Sequence, residues 1–217
     1  MYGKIMKSRK GRLISLIVIL VFLVGPVAYL LITNHTSKSY FRESDSIEFH
    51  SGDLVFRRGK SFVSQLVLLR DNKSQYSHVG IVVMKDDQPY VVHAVPGEAE
   101  KDQPEYVKME TMPEFLDKDK SADFAVYSLK GQYEQTGKRV AEKAIEYFEK
   151  HIQFDSSFDL KDESKLYCTE LVWRAYQYAG LNLIETYDKV NMPFYKGDFI
   201  YPSNIFLNPV FERIYPE

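Results

Sequence analysis

The sequence predicts an α+β domain, an antiparallel sheet packed on helices, behind one N-terminal transmembrane helix. Three observations predict it. Short β-branched runs come first in the domain and two longer amphipathic helices come last, without the strand–helix alternation of a parallel sheet. Two of those runs, 79–84 and 90–95, are separated only by Lys85-Asp86-Asp87-Gln88-Pro89, a hairpin pattern. Residues 13–33 are 21 consecutive uncharged and mostly apolar residues.

In chain order, 1–12 is a basic stub: Lys4, Lys7, Arg9, Lys10 and Arg12 occur with no acid before residue 34. At about 1.5 Å per residue, 13–33 spans a hydrocarbon core roughly 30 Å thick. A cleaved signal peptide has an apolar core of only about 7–15 residues and ends in a small-x-small site. The end of this run, Val27-Ala28-Tyr29-Leu30-Leu31, offers no such site. A retained signal anchor is therefore expected, with Gly25-Pro26 as a tolerated kink. The basic flank stays cytoplasmic, which makes this a single-pass membrane protein with its domain extracytoplasmic, periplasmic or at the cell surface. Residues 34–50 are polar and read as a tether, and 51–217 suit one core.

Within that core, 53–56 follows the Ser51-Gly52 turn as a short strand, and 62–69 has apolar residues at helical spacing. The hairpin follows, then a strand at 124–129. Residues 135–151 form an amphipathic helix with Val140, Ala144, Tyr147 and Phe148 on one face. A second helix, 167–179, is stopped by Gly180, and Leu171, Val172, Ala175, Tyr178 and Ala179 define its buried stripe.

Composition narrows the function. The 217 residues carry 28 basic and 30 acidic side chains, a net charge of −2. Removing the five cations of the stub leaves 23 basic against 30 acidic residues, or −7, for the rest. The near-zero overall balance argues against a nucleic-acid partner, which needs a basic excess. A single cysteine excludes an intrachain disulfide and any zinc site with two or more thiolates. Gly59-Lys60-Ser61 is no P-loop, because six residues separate Gly52 from Gly59 where four are needed. No cofactor is expected, and no metal, since His78 and His93 have no companion cluster of ligands. Asp86-Asp87 and the charge-rich 98–120 read as solvated, with a flap over the site as the other reading of 98–120.

The chemistry centres on Cys168. It falls in the first turn of the second helix, where free N–H groups and the helix dipole draw a thiol near 8.5 toward thiolate and could bind an oxyanion. A small buried cysteine in a helix is the plain alternative. The histidines weigh against it. His78 opens one hairpin strand and His93 lies on the facing one, where facing residues approach to about 4.5–5.5 Å. A cysteine with two histidines fits a nucleophile, a base and a group that orients the base.

The series Ser51-Gly52-Asp53-Leu54-Val55-Phe56, Ser77-His78-Val79-Gly80-Ile81-Val82 and Tyr167-Cys168-Thr169-Glu170-Leu171-Val172 resembles the permuted papain-like amidases. These are the circularly permuted branch of the NlpC/P60 superfamily, in which the strands precede the cysteine helix. The resemblance covers about residues 48–205. It implies a papain-like fold, Cys168 as nucleophile and His78 as general base. It places the third polar residue at His93, or at Glu98 in the following Pro96-Gly97-Glu98 turn. Tyr76 and Tyr167 are candidates for the second oxyanion donor. Glu170 either lines the site or caps the helix, and Asp53 reads as structural.

The expected activity is therefore a membrane-anchored thiol hydrolase that cleaves an amide bond through an acyl-enzyme. Its expected substrates are a peptidoglycan peptide or a lipid-linked acyl-amide. Two alternatives stay open: an acyltransferase or lipid hydrolase of the same superfamily, and a catalytically silent binding domain.

Overall fold

The computed structural model describes residues 47–99, 103–131, 134–192 and 195–216. The expected stub, the anchor at 13–33 and most of the tether lie outside them. Among the described residues no helix is long and apolar enough to cross a membrane.

The domain is built on a six-stranded antiparallel sheet in the order β10-β5-β1-β2-β3-β4. Its strands are β1 (Leu54–Gly59), β2 (His78–Lys85), β3 (Gln88–His93), β4 (Lys108–Thr111), β5 (Ser121–Leu129) and β10 (Phe211–Tyr215). Two short pairs flank it, parallel β6 (Gln153–Phe154) with β7 (Lys165–Leu166) and antiparallel β8 (Asp188–Met192) with β9 (Tyr195–Phe199). The helices are α1 (Phe62–Arg70), α2 (Met112–Phe115), α3 (Glu134–Glu149), α4 (Cys168–Tyr178) and α5 (Pro202–Phe206). The expected α+β class with an antiparallel sheet is what the structure shows.

The β2–β3 hairpin closes through Asp86-Asp87 alone, both with positive φ (51° and 60°), the backbone of a tight two-residue turn. The turn fixes the register, which runs from Lys85↔Gln88 to Ile81↔Val92. Alternate residues then separate by face. Val79, Ile81, Val83, Val92 and Ala94 join the core cluster with Val140 and Ala144 of α3 and Leu171, Val172 and Ala175 of α4. His78 and His93 fall on the opposite positions, where Phe115 of α2 lies against both rings.

α4 is more deeply buried than the expected stripe. Every residue from Thr169 to Tyr176 is buried, whereas Tyr178 is exposed. Gly180 follows it at φ +91°, a left-handed position that suits glycine after a helix. At the start of α4, Thr169 Oγ1 donates to the carbonyl of Ile200 (2.6 Å), and Tyr167 Oη accepts from the Ile200 amide (3.1 Å). Farther along, Tyr176 donates from its hydroxyl to the carbonyl of Gly52. These bonds fix where the Cys168 end of the helix sits. α1 differs from every other long helix: none of its residues is buried.

Candidate active site

The two hairpin histidines meet through their rings. His93 follows Val92, the register partner of Ile81, so it stands beside Gly80 and diagonal to His78 on the same face. Gly80 keeps that space open: a Cβ there would come within 3.2 Å of His93 Cβ and 2.3 Å of Val91 Cγ1. His78 Nε2 and His93 Nδ1 are 2.9 Å apart, and His93 Nε2 is 3.1 Å from Glu110 Oε2. Glu110 in turn accepts from Lys120 Nζ (2.9 Å), with Lys108 Nζ at 3.6 Å.

Protonation follows from this chain of contacts. Burial alone would raise the Glu110 carboxyl, but His93 and Lys120 outweigh it and hold Glu110 well below the usual carboxylate range. An ionised Glu110 only accepts, so His93 presents Nε2–H to it. Burial pushes His93 down more than Glu110 pulls it up, so its ring is neutral and Nδ1 is an acceptor. His78 must then donate from Nε2, which leaves Nδ1 with a free lone pair. Burial, then Arg57, then His93 keep His78 neutral, well below its ordinary value of 6.5. Arg57 is the direct register partner of His78 on β1. Its guanidinium lies 4.6 Å over the Phe115 ring and donates to the Phe115 carbonyl and to Glu98.

Cys168 and His78 line one cavity of about 320 Å³. Its lining includes apolar Val63, Val67, Phe154, Phe158 and Phe199 and charged Arg57, Lys60, Glu98 and Lys120. Cys168 is half-buried at the first position of α4. The expected pull toward thiolate is present, because the amides of Val79, Thr169 and Cys168 itself favour the anion. Burial exceeds it and pushes the thiol up to about 11. Burial therefore opposes the expected pull on the Cys168 thiol, and it also favours the neutral form of the His78 ring.

The other expected residues separate. Tyr167 lines the cavity, its hydroxyl held by Ile200. Tyr76 does not; it packs on Phe56 and Phe206, and its hydroxyl accepts from Gln75 (2.7 Å) and Arg213 (3.2 Å). Glu170 is fully buried away from the cavity and ion-paired with Arg174 Nε at 2.8 Å. Glu98 lines the cavity but is bound to Arg57, and Glu110 occupies the place next to His93. Asp53 accepts from the His50 amide and from Ser128 Oγ, as a structural residue does. Residues 98–120 are not simply solvated: Glu98, Lys108, Glu110 and Lys120 form one ion-pair network. Nothing in the local sequence pattern marks Arg57 or Glu110 as part of the site.

Residues 48–198, more than half of the chain, match a family described as permuted papain-like amidase enzyme, YaeF/YiiX, C92 family. The chain belongs to that family. Within the permuted papain-like amidases, it is similar to the uncharacterized protein YiiX of Escherichia coli (strain K12), 28% identical over 130 residues. That match spans 59% of this chain and 58% of YiiX. Its fold is also that of a crystal structure of yiiX from Escherichia coli O157:H7, at a TM-score of 0.64 and 23% identity. The superposition covers 77% of this chain and 97% of that one, whose protein is described as a metalloprotein. Among the described residues here, no group of three or more His, Cys, Asp or Glu could hold a metal ion. The facing nitrogens of His78 and His93 point at each other instead of at a shared centre.

Proposed function

We propose that this permuted papain-like amidase is a thiol hydrolase that cleaves an amide bond through an acyl-enzyme on Cys168. The hydrogen-bonded chain Glu110–His93–His78, ending at the cavity that holds Cys168, carries this reading. Sγ attacks the amide carbonyl carbon while the thiol proton passes to His78 Nδ1. The backbone amides at the start of α4 meet the developing oxyanion. The C–N bond then breaks, and His78 returns the proton to the leaving amine. Water, deprotonated by the same nitrogen, releases the acid and restores the thiol. Since burial favours both the neutral thiol and the neutral imidazole, proton transfer accompanies the attack. The valines and phenylalanines in the cavity's lining favour a lipid-linked acyl-amide over a polar cell-wall peptide. Transfer of the acyl group to an acceptor other than water would use the same intermediate.

We place the domain outside a membrane, held by residues 13–33; the five cations and absence of acid ahead of that run support the orientation. Extraction with alkaline carbonate tests the anchor: the full chain stays in the membrane pellet, and release into the supernatant defeats this reading. A fatty-acyl 4-nitroanilide tests the chemistry. The expected result is release of 4-nitroaniline with an acyl mass adduct on Cys168, abolished in Cys168→Ser. His78→Ala lowers the rate by about 10²–10⁴-fold. An adduct that forms equally fast in folded His78→Ala would overturn the mechanism.

A further inference from the structure

α1 carries an apolar ridge that the domain leaves uncovered. Phe62 is 76% exposed, Leu66 44% and Leu69 77%. At about 100° per residue the three lie within about 60° of arc, on one line of the helix. The exposure is held in place. Ser61 caps the first turn through Ser64 N (3.1 Å). At the other end the Asp71 carboxylate accepts from Ser203 N (2.9 Å) and Ser203 Oγ (2.6 Å). An apolar patch fixed in the open marks a binding surface.

Charge says what kind. Arg58 and Lys60 precede α1, Arg70 ends it and Lys73 follows it, and all four are exposed. No acid occurs from Leu54 to Arg70, in a chain whose residues after 33 carry 23 basic against 30 acidic side chains. An apolar ridge with cations at both ends complements a lipid layer with negative headgroups. The upstream chain is consistent with this. Residues 34–46 number 13 and reach at most roughly 45 Å, so an inserted 13–33 would keep the domain near a bilayer.

We propose that α1 is a docking helix for an anionic lipid bilayer. Phe62, Leu66 and Leu69 enter the headgroup boundary, and Arg58, Lys60, Arg70 and Lys73 meet lipid phosphates. Val63 and Val67 on the same helix line the cavity that holds Cys168, so docking brings the cavity mouth to the lipid. This goes beyond the hydrolase reading, because docking needs no turnover.

The test uses the full chain with Cys168→Ser, so that one added cysteine carries an NBD label. Leu66→Cys is compared with Tyr178→Cys, an exposed aromatic position on α4. The probes are vesicles of phosphatidylcholine with and without phosphatidylglycerol. With phosphatidylglycerol present, the label at 66 shifts to the blue, loses emission to doxyl-labelled lipid and resists iodide. The label at 178 stays open to iodide. Equal iodide quenching at 66 and 178 would overturn the proposal. So would shielding at 66 from both quenchers, the result expected of a protein partner.

Discussion

At the scale of single residues, the Glu110 carboxylate sets the tautomers of both imidazoles, while burial favours their neutral forms. Glu110 accepts from His93 Nε2, which makes His93 Nδ1 the acceptor and His78 Nε2 the donor and leaves the lone pair of His78 on Nδ1. Glu110→Gln keeps an acceptor but removes the charge and adds a competing donor. Acylation of Cys168 falls by at least about tenfold, short of the about 10⁴-fold that loss of a directly orienting carboxylate costs a serine triad. The acid limb of the pH–rate profile also moves to lower pH, because the carboxylate that pulls His93 upward is gone. A lower rate with an unmoved profile would mean that Glu110 is only structural. Cys168 offers a second reading of the same electrostatics. With the thiol pushed up to about 11, thiolate appears only as pH rises toward that value. Alkylation by iodoacetamide therefore climbs about tenfold per unit between pH 7 and 9. A plateau already reached at neutral pH would reveal a preformed thiolate–imidazolium pair.

At the scale of elements, the site depends on a glycine in the middle of a strand. Gly80→Ala puts a methyl 2.3 Å from Val91 Cγ1, and valine has little rotamer freedom to withdraw. The variant loses about 1–3 kcal/mol to overpacking. Val91→Ala in the same chain restores much of that, as thermal unfolding would show; no recovery would place the strain elsewhere. The strands β1 to β3 and the helices α3 and α4 were legible because period and β-branching act locally. So were Cys168, His78 and His93, which stand within recognisable motifs. β4 was not legible: Lys108-Met109-Glu110-Thr111 has no apolar alternation, and only pairing with β3 brings Glu110 to His93. Arg57 was missed because a cation in a strand reads as exposed, whereas Phe115 and Glu98 bury it. α1 was legible as a helix. That its apolar residues lie exposed depends on how the other described residues pack around it, which no local pattern reveals.

At the scale of the whole molecule, buried titrating groups pull stability in opposite directions with pH. His78 and His93 are held below their ordinary 6.5, so the unfolded chain binds more protons there, and stability rises as pH climbs toward about 6.5. Glu170 acts the other way. Burial raises its carboxyl to about 7, with Arg174 opposing the shift, while an unfolded glutamate titrates near 4.5. Between those values the folded chain binds more protons, so its stability is full below about 4.5 and is lost as pH rises through about 7. The observable is a difference, because the histidines mask the glutamate in the wild type. Glu170→Gln cannot ionise, so the stability of the wild type relative to this variant falls between pH 5 and 7.5. Thermal midpoints of both full chains in one detergent, measured across that range, supply the comparison. A difference that stays constant with pH would show that Glu170 is ionised throughout, with Arg174 holding the charge against its burial.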